Sequence, residues 1–180
     1  DKFLKNIVSF DVVCSYCLTE PGSGSDAAAL KTKAAITNEG YSLNGSKSFI
    51  SGGGFSDLYV VLCRTGDQTP NGISMVLVEN GQTGLSFGKK EQKMGWKAQP
   101  TAIVQFDNCS IPAANLVGEE GDGFKYAMEG LDGGRLNIAA ASLGGAQKAY
   151  EIAKSYSKER SAFGKPISRF QSIEFKLADM

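Results

Sequence analysis

Up to Phe106 the chain is a series of short apolar or β-branched runs cut apart by glycine- and asparagine-rich turns. After Pro112 that pattern gives way to apolar residues spaced three and four apart. This change of period constrains the fold more than any other feature. A strand turns alternate side chains to opposite faces, whereas a helix presents every third or fourth residue to one side. The strand-like runs are Val12–Thr19, Thr32–Thr37, Tyr41–Ser51, Leu58–Arg64, Ile73–Val78, Leu85–Phe87 and Ala102–Phe106. Asn38-Glu39-Gly40, Gly52-Gly53-Gly54, the stretch from Gly66 to Gly72, and Asn80-Gly81 divide them. Many short strands with frequent turns predict a small antiparallel barrel or sandwich. Leu136, Ala139, Ala140, Leu143, Ala146, Tyr150 and Ala153 then mark one face of an amphipathic helix that runs to about Glu159. Phe124-Lys125-Tyr126-Ala127-Met128 begins an earlier helical pattern that Gly133-Gly134 is expected to interrupt, with Asp132 capping the Leu136 helix from outside. Gly164-Lys165-Pro166 predicts a turn, and Ile167 to Met180 the start of a second helix. The class is α+β. One helix and part of another bury little of an apolar stripe, so partners are expected from the same polypeptide or from another subunit.

The 180 residues carry 19 basic and 19 acidic side chains with no long run of one sign. The basic stripe of a nucleic-acid binder is absent, and no apolar stretch has the length of a membrane span. There is no histidine. A Ser-His-Asp triad and a His-ligated metal are therefore impossible within this chain. Proton abstraction falls to a carboxylate, Lys, Tyr or Cys, or to a group from outside it. Cys14 and Cys17 form a C-x-x-C, but on an extended run residues three apart point to opposite faces. With Cys63 and Cys109 they read as four buried thiols in a reducing compartment rather than a metal site, a zinc or disulfide module being the minor alternative. The chain opens on Asp1 rather than Met, which predicts a processed chain or one excised from something longer.

Tyr16-Cys17-Leu18-Thr19-Glu20-Pro21-Gly22-Ser23-Gly24-Ser25-Asp26 carries the most chemical information. An apolar run ends at Thr19, and Pro21, Gly22 and Gly24 then force a turn lined by small hydroxyls. Such a loop offers amide N–H groups and short hydroxyls to a planar polar ring and nearby phosphates. Lys47-Ser48-Phe49-Ile50-Ser51-Gly52 follows a hairpin signal and ends in a glycine triplet. Further on come Lys89 to Thr101 (a charged run with one Trp expected as its anchor), Leu131-Asp132-Gly133-Gly134-Arg135, and Arg160-Ser161-Ala162-Phe163-Gly164-Lys165-Pro166 with Gln171.

In this order the motifs resemble the acyl-CoA dehydrogenase family, flavoenzymes that desaturate acyl-CoA thioesters. The resemblance spans Tyr16 to Met180. It implies a middle β domain over residues 1–118 and the start of a C-terminal helical domain over 119–180, the beginning of an α-helical bundle. It implies FAD as cofactor, with contacts at Tyr16, Cys17, Leu18, Thr19, Glu20, Gly24, Ser25, Phe49, Ile50, Ser51, Arg160, Phe163, Phe170 and Gln171. Thr19 would donate to the pyrimidine side of the ring, Phe49 pack on the ring, and Ser51 sit near N5. Arg160 would meet the pyrophosphate at a site completed across a subunit interface. Phe170 stands where a polar residue often sits in the family. Ser25, Asp132, Gly133, Gly134 and Arg135 would contact the CoA substrate.

The Gly95-Trp96 to Gln99-Pro100-Thr101 form is most similar to the branched-chain members that act on isobutyryl-CoA in valine breakdown. The resemblance further implies electron-transfer flavoprotein as electron acceptor, a homotetramer, and the mitochondrial matrix in a eukaryote or the cytoplasm in a bacterium. The family's catalytic glutamate is expected beyond Met180, so no base is assigned here, and the chain is expected not to turn over alone. An acyl-CoA oxidase of the same fold, and a non-catalytic binding or oligomerisation module, are the alternative readings.

Overall fold

A computed structural model of the chain describes residues 2–180, so Asp1 lies outside the described residues. The elements are α1 (Leu4–Val8), β1 (Cys14–Cys17), β2 (Lys33–Thr37), β3 (Gly40–Ser51), β4 (Leu58–Arg64), β5 (Ile73–Glu79), β6 (Leu85–Phe87), β7 (Thr101–Pro112), β8 (Leu116–Val117), α2 (Gly123–Glu159), β9 (Ser161–Ala162), β10 (Lys165–Pro166) and α3 (Gln171–Asp179). By packing they fall into two compact units, one ending at Glu129 and the other covering Gly130–Met180.

In the first unit the strands order as β6-β7-β3-β2-β4-β5-β8, with β1 laid along β4. The sheet is sandwich-like and does not close into a barrel. Nor is it wholly antiparallel. β1 runs parallel to β4, Cys14 opposite Leu58 and Cys17 opposite Val61, and β2 meets β4 at one parallel position, Lys33 opposite Arg64. A parallel pair needs a long crossover, and here the β2–β3 hairpin supplies it. β4 is buried on both faces, which explains its unbroken apolar run. Tyr59, Val61 and Cys63 join Leu43, Ile50, Val76, Val104 and Phe106 in one core. Leu62 joins Leu18, Leu30, Ile73 and Met75 in a second core, which Phe124, Ala127 and Met128 from the first turns of α2 cover.

In the second unit, α2 passes through Gly133-Gly134 without interruption. A glycine costs a helix about 1 kcal/mol relative to alanine, which is too little to stop a helix already propagating on both sides. Asp132 is therefore no cap. It pairs with Arg135 one turn on, at 3.0 Å. Leu136 and Leu143 of the expected apolar stripe are both 71% exposed. β9 and β10 form a hairpin whose two-residue turn is Phe163-Gly164, at φ 51° and 81°. Positive φ at both positions suits the right-handed twist of a tight hairpin. The turn thus lies ahead of Lys165-Pro166, which form the return strand.

Two further expectations fail. Cys14 is exposed, while Cys17, Cys63 and Cys109 are buried; β1 alternates out and in, so only Ser15 and Cys17 turn inward. Trp96 does not anchor its loop: it is 68% exposed.

Candidate functional site

The segment after β1 is locked to β3 by a buried ion pair. Lys47 Nζ, fully buried, donates to Glu20 Oε1 at 2.7 Å and to the Leu18 carbonyl at 3.0 Å. Glu20 also accepts from the Lys31 N–H at 2.7 Å and the Thr32 N–H at 2.9 Å. Burial works against the Glu20 charge. The Lys47 charge and the hydrogen bonds outweigh it, so the carboxyl is held below the usual carboxylate range. Burial keeps the Lys47 ammonium below the usual lysine range despite its carboxylate partner. Removing one member of such a pair costs about 3–5 kcal/mol, because the other is left buried and uncompensated. Glu20 thus spends its side chain inside the protein, although the sequence assigns it to the cofactor. Lys47, to which the sequence motif assigns no role, ties this loop to β3. A lysine in a half-apolar strand is the available signal, and its partner Glu20 lies 27 residues earlier, in the loop after β1.

A bulge aims the second segment. β3 slips register against β7 between Lys47 and Ile50. Lys47 and Ser48 are both buried, after which Phe49 and Ser51 come out on the exposed face and Ile50 stays in the core. Phe49 sits at φ 57°, a left-handed conformation that costs a non-glycine residue about 1–2 kcal/mol. Ile50, 2% exposed, can offer a ligand its backbone but not its side chain, and the same holds for Cys17.

The two segments are stitched together. Ser48 N–H donates to the Thr19 carbonyl at 2.8 Å. The Ser15 hydroxyl donates to the Ser51 carbonyl at 2.6 Å and accepts from the Ser56 hydroxyl at 2.9 Å. Gly52, at φ 82°, lies so close to Ser15 and Ser56 that a β-carbon would collide with both hydroxyls. The structure therefore brings Tyr16, Leu18, Thr19, Phe49 and Ser51 together. Tyr16 and Phe49 are 39% and 67% exposed. Thr19 N–H donates to no protein acceptor among the described residues. Burial pushes the Tyr16 phenol up to about 12.

Gly24 and Ser25 lie exposed in the following turn. It is closed by paired backbone bonds between Glu20 and Ser23 and by the Ser23 hydroxyl on the Asp26 carbonyl at 2.6 Å. A cavity of about 1240 Å³ opens beside Ser51, lined also by Val13, Cys14, Phe55, Trp96 and Lys97. It meets the sequence-assigned residues only at Ser51.

The remaining assigned residues belong to the second unit. Asp132, Gly133, Gly134 and Arg135 lie on α2. Arg160 follows its last turn, with its N–H on the Tyr156 carbonyl and its carbonyl accepting from Ile167 N–H. Phe163, 96% exposed at the hairpin turn, meets Phe170 edge-to-face at 6.2 Å. Lys165 Nζ lies 4.4 Å over the Phe170 ring, so this ring is engaged locally. Gln171 opens α3 and is exposed.

Residues 15–109 match the family described as "Acyl-CoA dehydrogenase, middle domain", and residues 121–180 match "Acyl-CoA dehydrogenase, C-terminal domain". The chain belongs to the acyl-CoA dehydrogenase family. It is 54% identical over 180 residues to the mitochondrial isobutyryl-CoA dehydrogenase of Dictyostelium discoideum, covering 99% of this chain and 43% of that protein. It is 55% identical over 174 residues to the same enzyme of Bos taurus, covering 97% and 42%. A chain in a solved structure concerning the electron transferring flavoprotein of Acidaminococcus fermentans superposes with a TM-score of 0.95 at 47% identity, covering 99% of this chain and 47% of that one. This chain thus spans less than half the length of these relatives.

Proposed function

We propose that this chain holds the flavin-facing part of an enzyme that removes hydrogen from the α and β carbons of a short branched-chain acyl-CoA similar to isobutyryl-CoA, and that electrons leave to an electron-transfer flavoprotein. One observation carries the reading. Two segments distant in sequence present Tyr16, Thr19, Phe49 and Ser51 together, with aromatic faces exposed and an amide donor unspent. These residues fit FAD. The two rings suit a planar heterocycle, the Thr19 N–H suits its polar edge, and Ser51 adds a short hydroxyl beside them. When bound, the flavin supplies the acceptor for the substrate's hydride.

The chain's own residues bind and orient. Tyr16 and Phe49 pack against the ring, Leu18 and Thr19 border its pyrimidine side, and Ser51 stands on the face of β3 that meets it. Ser25 and Asp132 to Arg135 contact the CoA moiety; a guanidinium suits its phosphate and amide oxygens. Arg160, Phe163 and Gln171 complete a cofactor site across a subunit interface of a homotetramer. The base that takes the α proton is the family's glutamate, outside this chain. The division into a middle β domain over 1–118 and a helical domain over 119–180, and the mitochondrial matrix as compartment in a eukaryote, belong to the same reading. The identity to isobutyryl-CoA dehydrogenases supports the choice of acyl group.

The test is a visible spectrum of the protein carrying the whole helical domain, taken after incubation with FAD and removal of free ligand. Retained flavin bands that bleach with isobutyryl-CoA are expected, as is a shifted spectrum in Ser51→Ala. A colourless protein would refute the flavin site, and bands indifferent to isobutyryl-CoA would refute the substrate. The 180-residue chain alone is expected not to bleach.

A further inference from the structure

Lys47 and Glu20 present nothing to a ligand, yet their hydrogen bonds converge on the loop that carries Leu18 and Thr19. The Leu18 carbonyl and the Thr19 N–H belong to a single peptide group. A cationic donor on that carbonyl draws electron density from the nitrogen and makes the N–H a stronger donor. Lys47 Nζ is that donor, at 3.0 Å and shielded from water. The Thr19 N–H it loads is the one with no protein acceptor among the described residues. Lys47 also stands on β3 just before the bulge that turns Phe49 and Ser51 outward. One side chain therefore spans the two segments of the site, and the Ser48 N–H on the Thr19 carbonyl holds the next peptide from the same strand.

Packing alone does not call for this arrangement. Apolar residues of similar volume commonly replace a buried ion pair with no loss of stability.

We propose that Lys47, paired with Glu20, is a positioning residue for the flavin: it fixes the Leu18–Thr19 peptide against the Phe49 strand and strengthens the Thr19 N–H as a donor to the edge of the ring. This rests on the flavin reading above. Glu20 serves by holding the ammonium in place, with the Lys31 and Thr32 N–H groups holding the carboxylate in turn.

The experiment compares the full-length holoprotein with Lys47→Met and with the double variant Glu20→Gln/Lys47→Met. Lys47→Met alone strands a buried carboxylate and serves as the folding control. The double variant carries no charge at either position of the pair, and its apoprotein is expected to melt within a few degrees of wild type. FAD should bind it about tenfold more weakly, the equivalent of one hydrogen bond. Its bound FAD should show a shifted long-wavelength band and a lower reduction potential. A folded double variant with wild-type affinity, spectrum and potential would overturn the proposal. So would a double variant that cannot fold, since the pair would then serve the fold itself. Wild-type protein that binds no FAD would instead refute the flavin reading on which the proposal stands.

Discussion

Arg64→Met is the most informative single change to the scaffold. Arg64 ends β4 and is 4% exposed. Its guanidinium donates to the carbonyls of Ala28 at 2.7 Å, Leu30 at 3.1 and 3.2 Å, and Thr69 at 3.0 Å, and also to that of Asp67. It therefore closes two loops at once: the stretch after Ser25 and the turn before β5. Methionine fills the stem's volume but leaves these carbonyls without donors. The Leu30 carbonyl faces a buried bond and bears the full penalty, about 1–3 kcal/mol. The other three are part-buried and water can reach them, so each loses about 1 kcal/mol. Relief from burying a guanidinium offsets part of this, leaving a loss of about 3–4 kcal/mol. That is a large fraction of the stability of an ordinary domain. Urea denaturation measures the loss, and amide exchange should show faster opening at Ala27–Leu30 than in the β3–β7 ladder. A loss below about 1 kcal/mol with unchanged exchange in that loop would refute the assignment of Arg64 as the tie between the loops.

Gly52→Ala should destabilise by about 2–4 kcal/mol, since it combines a positive φ with a collision against Ser15 and Ser56. Gly81→Ala, at the same φ of 82° but with nothing within 4 Å, should cost only about 1 kcal/mol; equal shifts in urea midpoint would deny the steric part. The Glu20 carboxyl sits below its unfolded value of 4.5. Its contribution is therefore complete above that pH and is lost as pH falls through the folded pKa. Urea midpoints followed from pH 6 to 3 should fall less in Glu20→Gln/Lys47→Met than in wild type. Among the cysteines only Cys14 is exposed, while burial pushes the Cys17 and Cys63 thiols to about 12 and Cys109 to about 11. A thiol reagent at pH 8 should label one site rapidly in the native protein, and Cys14→Ser should abolish that phase.

Much of the β unit could be read directly from pattern. Leu58–Arg64 and Leu85–Phe87 are strands over those same residues, because turn residues bound each run sharply. β7 extends to Pro112, past the expected end at Phe106. Polar Asp107, Asn108 and Ser110 break the apolar pattern there, while long-range pairing with β3 continues the ladder. The parallel alignment of β1 on β4 could not be read, since no local signal chooses a partner strand. The uninterrupted helix through Gly133-Gly134 was hidden for the opposite reason: local propensity spoke against it, and helix cooperativity prevailed. Lys47 escaped notice because a lysine in a strand reads as solvated until its partner is located.

The backbone adds a signal that residue patterns cannot carry. Among the described residues five non-glycines have positive φ: Phe10, Phe49, Trp96, Asn108 and Phe163. Asparagine adopts this conformation readily, but bulky aromatics do not. All four aromatics are also exposed. Each thus combines an unfavourable backbone with an uncovered apolar ring, two defects that packing within this chain does not repair. Local rules fail in this concentrated way where a fold serves something beyond its own stability. Phe49 and Phe163 are two positions that the family resemblance assigns to the flavin, and a ligand that covers the rings would recover the apolar area they expose. For Phe49 the cause is identifiable. The bulge after Lys47 trades a continuous ladder for a ring turned outward, and Lys47 at its start is tied to Glu20 and to the Leu18 carbonyl.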